Sequence, residues 1–180
     1  MTDRSDVSDT ATLADLLVRV QRLEDLEGVR ATWLRYCNRL DAFDFDGLGE
    51  VFTGDASLEL AGLARSLDGR YEGRRAIIED FYRKTDLPAG VTPTAMTGHL
   101  STNMQIELLG EEATTLAYFF EIVDDNLALI GTYQHRMRRD PRGPSGWQIA
   151  FLRITVRFRA RLEATQVKGR LLQEILAQPV

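Results

Sequence analysis

Two of the 180 residues are histidines, and one of them, His99, stands in the run Thr97-Gly98-His99-Leu100-Ser101-Thr102-Asn103. Imidazole takes up and returns a proton near neutral pH. A carboxylate held against one ring nitrogen would fix the tautomer, orient the ring and stabilise the imidazolium that forms. The stretch 36–46 offers three carboxylates, Asp41, Asp44 and Asp46. Asp44 has the position of an N-cap, and Asp46 that of a first-turn residue favoured by the helix dipole. Asp41 has neither task. At about 100° per residue it lies one step round from Leu40, near Cys37, on the edge of a buried face. Asp41 is therefore the candidate partner of His99, against the alternative of a solvated helix-end carboxylate. Tyr36 and Tyr133 carry hydroxyls able to hydrogen-bond an oxygen that turns negative in a transition state, or they are amphipathic core tyrosines. Tyr133 shares a strand face with Leu129 and Gly131, where a glycine leaves room for a ligand. His135, followed by Arg136, Arg138 and Arg139, reads as the polar, structural end of that strand.

The elements that must position these groups follow from periodicity. From Thr12 the pattern is helical, with Leu13, Leu16, Leu17, Val20 and Leu23 on one face, and it continues through Leu26, Val29, Trp33, Tyr36, Cys37 and Leu40. Gly28 is a possible break into two helices. Asp44 caps a short helix carrying Phe45, Leu48, Val51 and Phe52. Residues 56–60 and 70–73 read as short strands and 74–84 as an amphipathic helix. The loop 85–95, with Pro88, Gly90 and Pro93, has the length of a lid. Residues 96–109, 114–123, 127–138 and 147–162 read as four long strands of an antiparallel meander, and 169–178 as a closing helix. Strict alternation groups His99 with Ser101, Asn103, Gln105 and Glu107, opposite Leu100, Met104, Ile106 and Leu108. Either a bulge near residues 101–103 re-aims the strand, or His99 lies on the surface. Arg153, Arg157, Arg159 and Arg161 form one solvated strand face, opposite Ile154, Val156, Phe158 and Leu162.

Helices first and hairpin-linked strands after make an α+β fold, with helices on one face of a curved antiparallel sheet that encloses a pocket. The other face of such a sheet needs a cover, and homo-oligomerisation is the simplest one. Residues 1–10 read as a disordered lead-in and 11–180 as a single domain with extra N-terminal and C-terminal helices. A formal charge of −5, from 22 basic against 27 acidic residues, argues against nucleic acid and anionic lipid as partners. One cysteine and two histidines exclude a structural zinc site of any usual spacing. The first residues lack an apolar leader, and no run of about 18 apolar residues occurs, so the chain is expected in the cytoplasm and off the membrane. No glycine-rich phosphate loop is present, and no cofactor or metal is expected.

Several of these residues fall into one ordered pattern: Tyr36, Asp41, Asp44, Asp46, Leu48, Phe52 and Asp55, then His99, Thr102, Asn103 and Ile106, then Gly131 and Tyr133, then Trp147, Ile149 and Ala150. Over roughly residues 20–160 the pattern resembles the SnoaL-like branch of the nuclear-transport-factor-two-like superfamily. The resemblance implies a cone-shaped α+β barrel, with a curved antiparallel sheet wrapped around the helices and a mostly apolar pocket inside. Within the branch the chain is similar to the scytalone dehydratases and hexachlorocyclohexane dehydrochlorinases, where an Asp at the end of the first helix and a His on the third strand abstract a proton during elimination. That implies the same roles for Asp41 and His99 and an inward His99. It also places Tyr133 among pocket-lining aromatics.

Departures accompany the likeness. The ketosteroid isomerases carry a catalytic aspartate where Leu60 stands here. The second histidine of the scytalone dehydratases falls on a strand that here offers Tyr118, Phe119, Phe120 and Glu121, so another group must be the acid. The arginine of the dehydrochlorinases falls at Leu152. The expected activity is a cofactor-independent lyase or isomerase, of dehydratase or polyketide-cyclase type, acting on a small apolar carbonyl compound, polycyclic ones included. Asp41, His99, Tyr133 and Tyr36 are its expected catalytic residues, and Trp33, Leu60, Asn103, Tyr118, Phe120, Leu129 and Gly131 its expected pocket lining. The alternatives are a non-catalytic β-type subunit of an aromatic-ring-hydroxylating dioxygenase, or a ligand-binding module. A homodimer or homotrimer through the sheet is expected.

Overall fold

The computed structural model describes residues 5–85, 98–123 and 127–161. Helix α1 (Ser5–Asp41) is followed by a short α2 (Phe45–Gly49), strands β1 (Phe52–Ala61) and β2 (Gly69–Glu72), and a helical rod. The rod runs from α3 (Arg74–Ala76) through a π-helical stretch (Ile77–Tyr82) to α4 (Arg83–Thr85). Four long strands complete the fold: β3 (Leu100–Leu109), β4 (Glu112–Val123), β5 (Leu127–Arg139) and β6 (Trp147–Arg161).

These six strands form one curved, unclosed sheet in the order β2-β1-β6-β5-β4-β3. From β3 to β6 every neighbour is antiparallel, as a hairpin-linked meander requires. Strand β1, however, pairs parallel with β6, so the sheet is mixed. The α+β reading holds, with the helices on the inner face. No helix among the described residues is long and apolar enough to cross a membrane.

Helix α1 is continuous, and Gly28 does not break it. A Cβ there would stand 2.7 Å from the Trp147 ring and 2.9 Å from the Ser145 carbonyl, so the glycine lets the helix lie against the start of β6. Val29, Trp33, Tyr36, Cys37 and Leu40 are buried at helical spacing, and this stripe docks α1 on the sheet. Each such side chain contributes roughly 1.5–3 kcal/mol by leaving water. The N-terminal part of the expected apolar face behaves differently: Leu13, Leu16, Leu17, Val20 and Leu23 are all exposed. The helix also begins at Ser5, within the stretch expected as a lead-in. Of the remaining expectations, most of the lid at 85–95 and the closing helix at 169–178 lie outside the described residues.

Candidate active site

Asp41 is placed by the way α1 ends. Asp44 N–H donates to the Arg39 carbonyl and Phe43 N–H to the Leu40 carbonyl, with Phe43 at φ +54°, which is the hydrogen-bond pattern of a Schellman stop. Asp44 then caps α2, its carboxylate accepting from Gly47 N–H at 2.9 Å. Asp46 pairs with Arg83 at 2.6 Å. Both take up the structural tasks read for them. The stop leaves Asp41 in the last turn of α1, facing the segment that enters β3.

His99 is placed by a bulge. The β3–β4 register shifts between Thr102 and Gln105, and Asn103 sits in the left-handed region at φ +54°. The extra residue turns His99 and Ser101 to the same side as Met104, Ile106 and Leu108, and the His99 side chain is only 3% exposed. Of the two readings open from sequence, the bulge is the one observed. Gly98, at φ +84°, supports the approach, because a Cβ there would lie 3.3 Å from the Asp41 carboxylate.

The result is a tight Asp–His contact. Asp41 Oδ1 lies 2.5 Å from His99 Nδ1, and the His99 backbone N–H donates to both carboxylate oxygens at 3.2 and 3.1 Å. An ionised carboxylate only accepts, so the proton is on Nδ1 and the lone pair of neutral His99 is on Nε2. Burial raises the Asp41 carboxyl, but the hydrogen bonds and charge of His99 outweigh it and hold Asp41 below the usual carboxylate range.

His99 forms part of the wall of an inner cavity of about 300 Å³, bounded chiefly by apolar side chains such as Leu60, Phe119, Leu129 and Ile154. Tyr36 and Tyr133 line it as well. Burial pushes both phenols well above their ordinary range, so each remains a hydrogen-bond donor. The Tyr36 hydroxyl already shares a hydrogen bond of 2.7 Å with Tyr82, and Tyr133 packs beside Phe119 and Trp33. On its other side His99 borders a shallow groove of about 290 Å³ between α1 and β3, where Asp41 emerges.

Sequence reasoning passed over Glu121. It lies on β4 with its carboxylate Oε1 3.5 Å from His99 Nε2, lines the inner cavity, and is 12% exposed. Burial pushes its carboxyl above the ordinary value against the pull of His99, and the Asp41 charge adds to the rise. The signal was present: a single Glu interrupts the otherwise apolar run 116–123 on the strand face of Phe119.

The expected lining residues separate into groups. Leu60 and Leu129 face the cavity. Trp33 and Asn103 border the outer groove instead, Trp33 because its ring stacks on Tyr36 at 4.8 Å and its Nε1 donates to Ser101, Asn103 because the bulge carries it outward. Tyr118 and Phe120 do not line the cavity, since alternation through inward Phe119 and Glu121 leaves them exposed on the outer face. The room above Gly131 is filled, because a Cβ there would meet the Thr155 carbonyl at 2.1 Å and the Phe119 ring at 2.6 Å.

His135 is not at a polar end. It is buried against Trp33, with Nδ1 2.5 Å from the Thr115 hydroxyl, and burial pushes its pKa down to about 3. It is a neutral core residue. Cys37 is buried too, and its thiol is pushed upward, away from thiolate chemistry. A larger polar cleft of about 600 Å³ opens at the other end of β5, but Arg138, Arg139 and Arg142 there pair with Asp55, Asp25 and Asp140. Among the described residues no group of three or more His, Cys, Asp or Glu side chains is arranged to hold a metal ion.

With this geometry in place, likeness to known proteins becomes informative. No curated protein matches the chain. Among solved structures it is similar to an NTF2-like protein with a cystatin-like fold from Novosphingobium aromaticivorans, at 21% identity and TM-score 0.59 over 93% of this chain and 97% of that one. It is similar also to a putative scytalone dehydratase from the same organism, at 17% identity and TM-score 0.59 over 79% and 91%. A hexachlorocyclohexane dehydrochlorinase, LinA-type3 from Novosphingobium barchaimii LL02, superposes with TM-score 0.60 at 12% identity over 81% and 95%. The fold is thus that of the NTF2-like proteins. The model of the SnoaL-like domain matches residues 21–153, and the chain belongs to the SnoaL-like family.

Proposed function

We propose that the protein is a lyase or isomerase of dehydratase or cyclase type, in which Asp41 and His99 act as one general base on a small apolar carbonyl compound. The observation that carries this reading is the Asp41–His99 contact at 2.5 Å in the wall of an apolar cavity. Three hydrogen bonds hold the pair in place there. The names of two similar structures, a putative scytalone dehydratase and a dehydrochlorinase, point to the same class of chemistry.

The step follows from the geometry. His99 Nε2, which carries the lone pair of the neutral ring, takes a proton from a carbon next to the carbonyl. Asp41, ionised across the neutral range, stabilises the imidazolium through Nδ1–H. Tyr133, kept protonated by burial, donates to the oxygen that becomes an enolate. General base catalysis contributes about 10²–10⁴-fold, and positioning in the cavity adds to it. The inward pair also favours an enzyme over a purely structural subunit, which needs no base inside its pocket.

The test is exchange of the α-protons of α-tetralone in deuterated water, followed by NMR. The wild-type protein should accelerate exchange, and His99→Gln should lose about 10²–10⁴-fold of that acceleration. Equal exchange by both proteins would remove His99 from the chemistry.

Copies of the chain, we further propose, meet on the outer face of the sheet. Leu100, Phe120, Ile130 and Phe158 are cross-strand partners in one continuous row over β3, β4, β5 and β6, and all four are exposed. An apolar row of that kind is an unusual surface for a lone subunit.

A further inference from the structure

The base reading leaves the acid unassigned. Elimination of hydroxide needs a proton on the departing oxygen, because hydroxide is a poor leaving group. The donor must reach the same cavity as His99 Nε2 and must hold a proton when substrate arrives. Phenols here are donors with raised pKa values, suited to steadying an enolate and poorly suited to giving a proton away.

We propose that Glu121 is the acid, giving its proton to the leaving oxygen from the cavity wall on which His99 receives one from carbon. The inference rests on the base reading above. Its ground is placement: Glu121 Oε1 is 3.5 Å from His99 Nε2, both side chains line the inner cavity, and the two are 12% and 3% exposed. Burial of the carboxyl favours its protonated form despite the nearby imidazole, in keeping with its upward shift. A carboxylic acid there can donate, whereas a carboxylate cannot.

The proton inventory closes. The α-C–H bond breaks and its proton goes to Nε2, while its electron pair forms the new C=C bond. The C–O bond breaks with its pair on oxygen, which takes the Glu121 proton and leaves as water. His99 is then an imidazolium and Glu121 a carboxylate. Once the product departs, the two sit 3.5 Å apart, and the Nε2 proton passes to Oε1 directly or through one water. Both groups are restored with no proton drawn from outside. In this scheme Asp41 stays ionised throughout and serves as the positioning residue on the far side of the ring.

The test compares two leaving groups on one scaffold, the acetophenone–acetaldehyde aldol and its β-chloro analogue, with wild type, Glu121→Gln and His99→Gln. Chloride leaves without a proton. Glu121→Gln should slow loss of hydroxide by about 10²–10⁴-fold, change loss of chloride by less than about tenfold, and retain α-proton exchange in deuterated water. His99→Gln should lose all three. If Glu121→Gln slows both eliminations equally, or neither, Glu121 is not the acid while the base stands. If wild type shows neither exchange nor elimination, the base reading fails and the acid falls with it. Infrared spectroscopy of the free protein supplies a readout independent of substrate. A protonated-carboxyl stretch at neutral pH should be present in wild type and absent in Glu121→Gln, and its absence from wild type overturns the proposal.

Discussion

A carboxylate in the last turn of a helix faces the negative end of the dipole, which costs about 0.3–1 kcal/mol at an exposed site. Asp41 holds that place in α1, and the one basic residue of the turn, Arg39, is drawn to Asp44 instead. A residue that violates its local rule while making three hydrogen bonds to a buried histidine is better explained by chemistry than by stability. His135 illustrates the opposite case. It is buried and neutral, with a pKa pushed down to about 3, while the unfolded chain binds a proton below about 6.5. Between those values the unfolded state holds more protons, so stability is full above pH 6.5 and is lost as the pH falls toward 3. Urea unfolding of wild type at pH 6.5 and 4.5 should therefore differ by about 2 kcal/mol more than the same pair of measurements on His135→Phe. An equal pH dependence in the two proteins would mean that His135 already carries a proton in the native state.

At the scale of elements the decisive feature is the bulge in β3. Asn tolerates the left-handed backbone at position 103 far better than a β-branched residue does. Asn103→Gly should leave stability within about 0.5 kcal/mol of wild type, whereas Asn103→Val should cost about 1–2 kcal/mol and, by straightening the strand, lower activity with it. Thermal unfolding beside the α-proton exchange assay separates the two effects. The same bulge marks how far the sequence could be read. Helical and strand periods located the described elements, though α1 starts seven residues before the expected Thr12 and the end of the expected second helix belongs to β1, and the pairing of Asp41 with His99 followed from residue type and family likeness. Which face of a strand turned inward was harder. On β4 the outer set Leu116, Tyr118, Phe120 and Ile122 is more apolar than the inner set Ala113, Thr115, Ala117, Phe119 and Glu121. Hydrophobicity alone therefore points to the wrong side, which misassigned Tyr118 and Phe120 and hid Glu121. Phe158 is reversed for another reason, a register shift opposite Ile130 and Gly131 that sends it outward. The parallel β1–β6 pair joins segments far apart in the chain, and no local pattern encodes it.

The whole molecule presents two apolar surfaces that its own described residues do not cover: the cross-strand row on the sheet and the N-terminal turns of α1, with Leu13, Leu16, Leu17, Val20 and Leu23. The row crosses the outer face of β3, which His99 immediately precedes, and of β4, which holds Glu121, so an assembled sheet face would stiffen the site from outside. Phe120→Lys with Ile130→Lys should shift the sedimenting species to the monomer, and an unchanged mass would place the interface elsewhere. The central claim, that Asp41 and His99 are one acid–base unit, does not depend on assembly and is open to direct measurement. What holds Asp41 low must favour the imidazolium by the same interaction. An NMR titration of His99 in wild type and Asp41→Asn should show a pKa lower in the variant by about one unit or more, or about 1.4 kcal/mol per unit. Identical titrations in the two proteins would contradict the account.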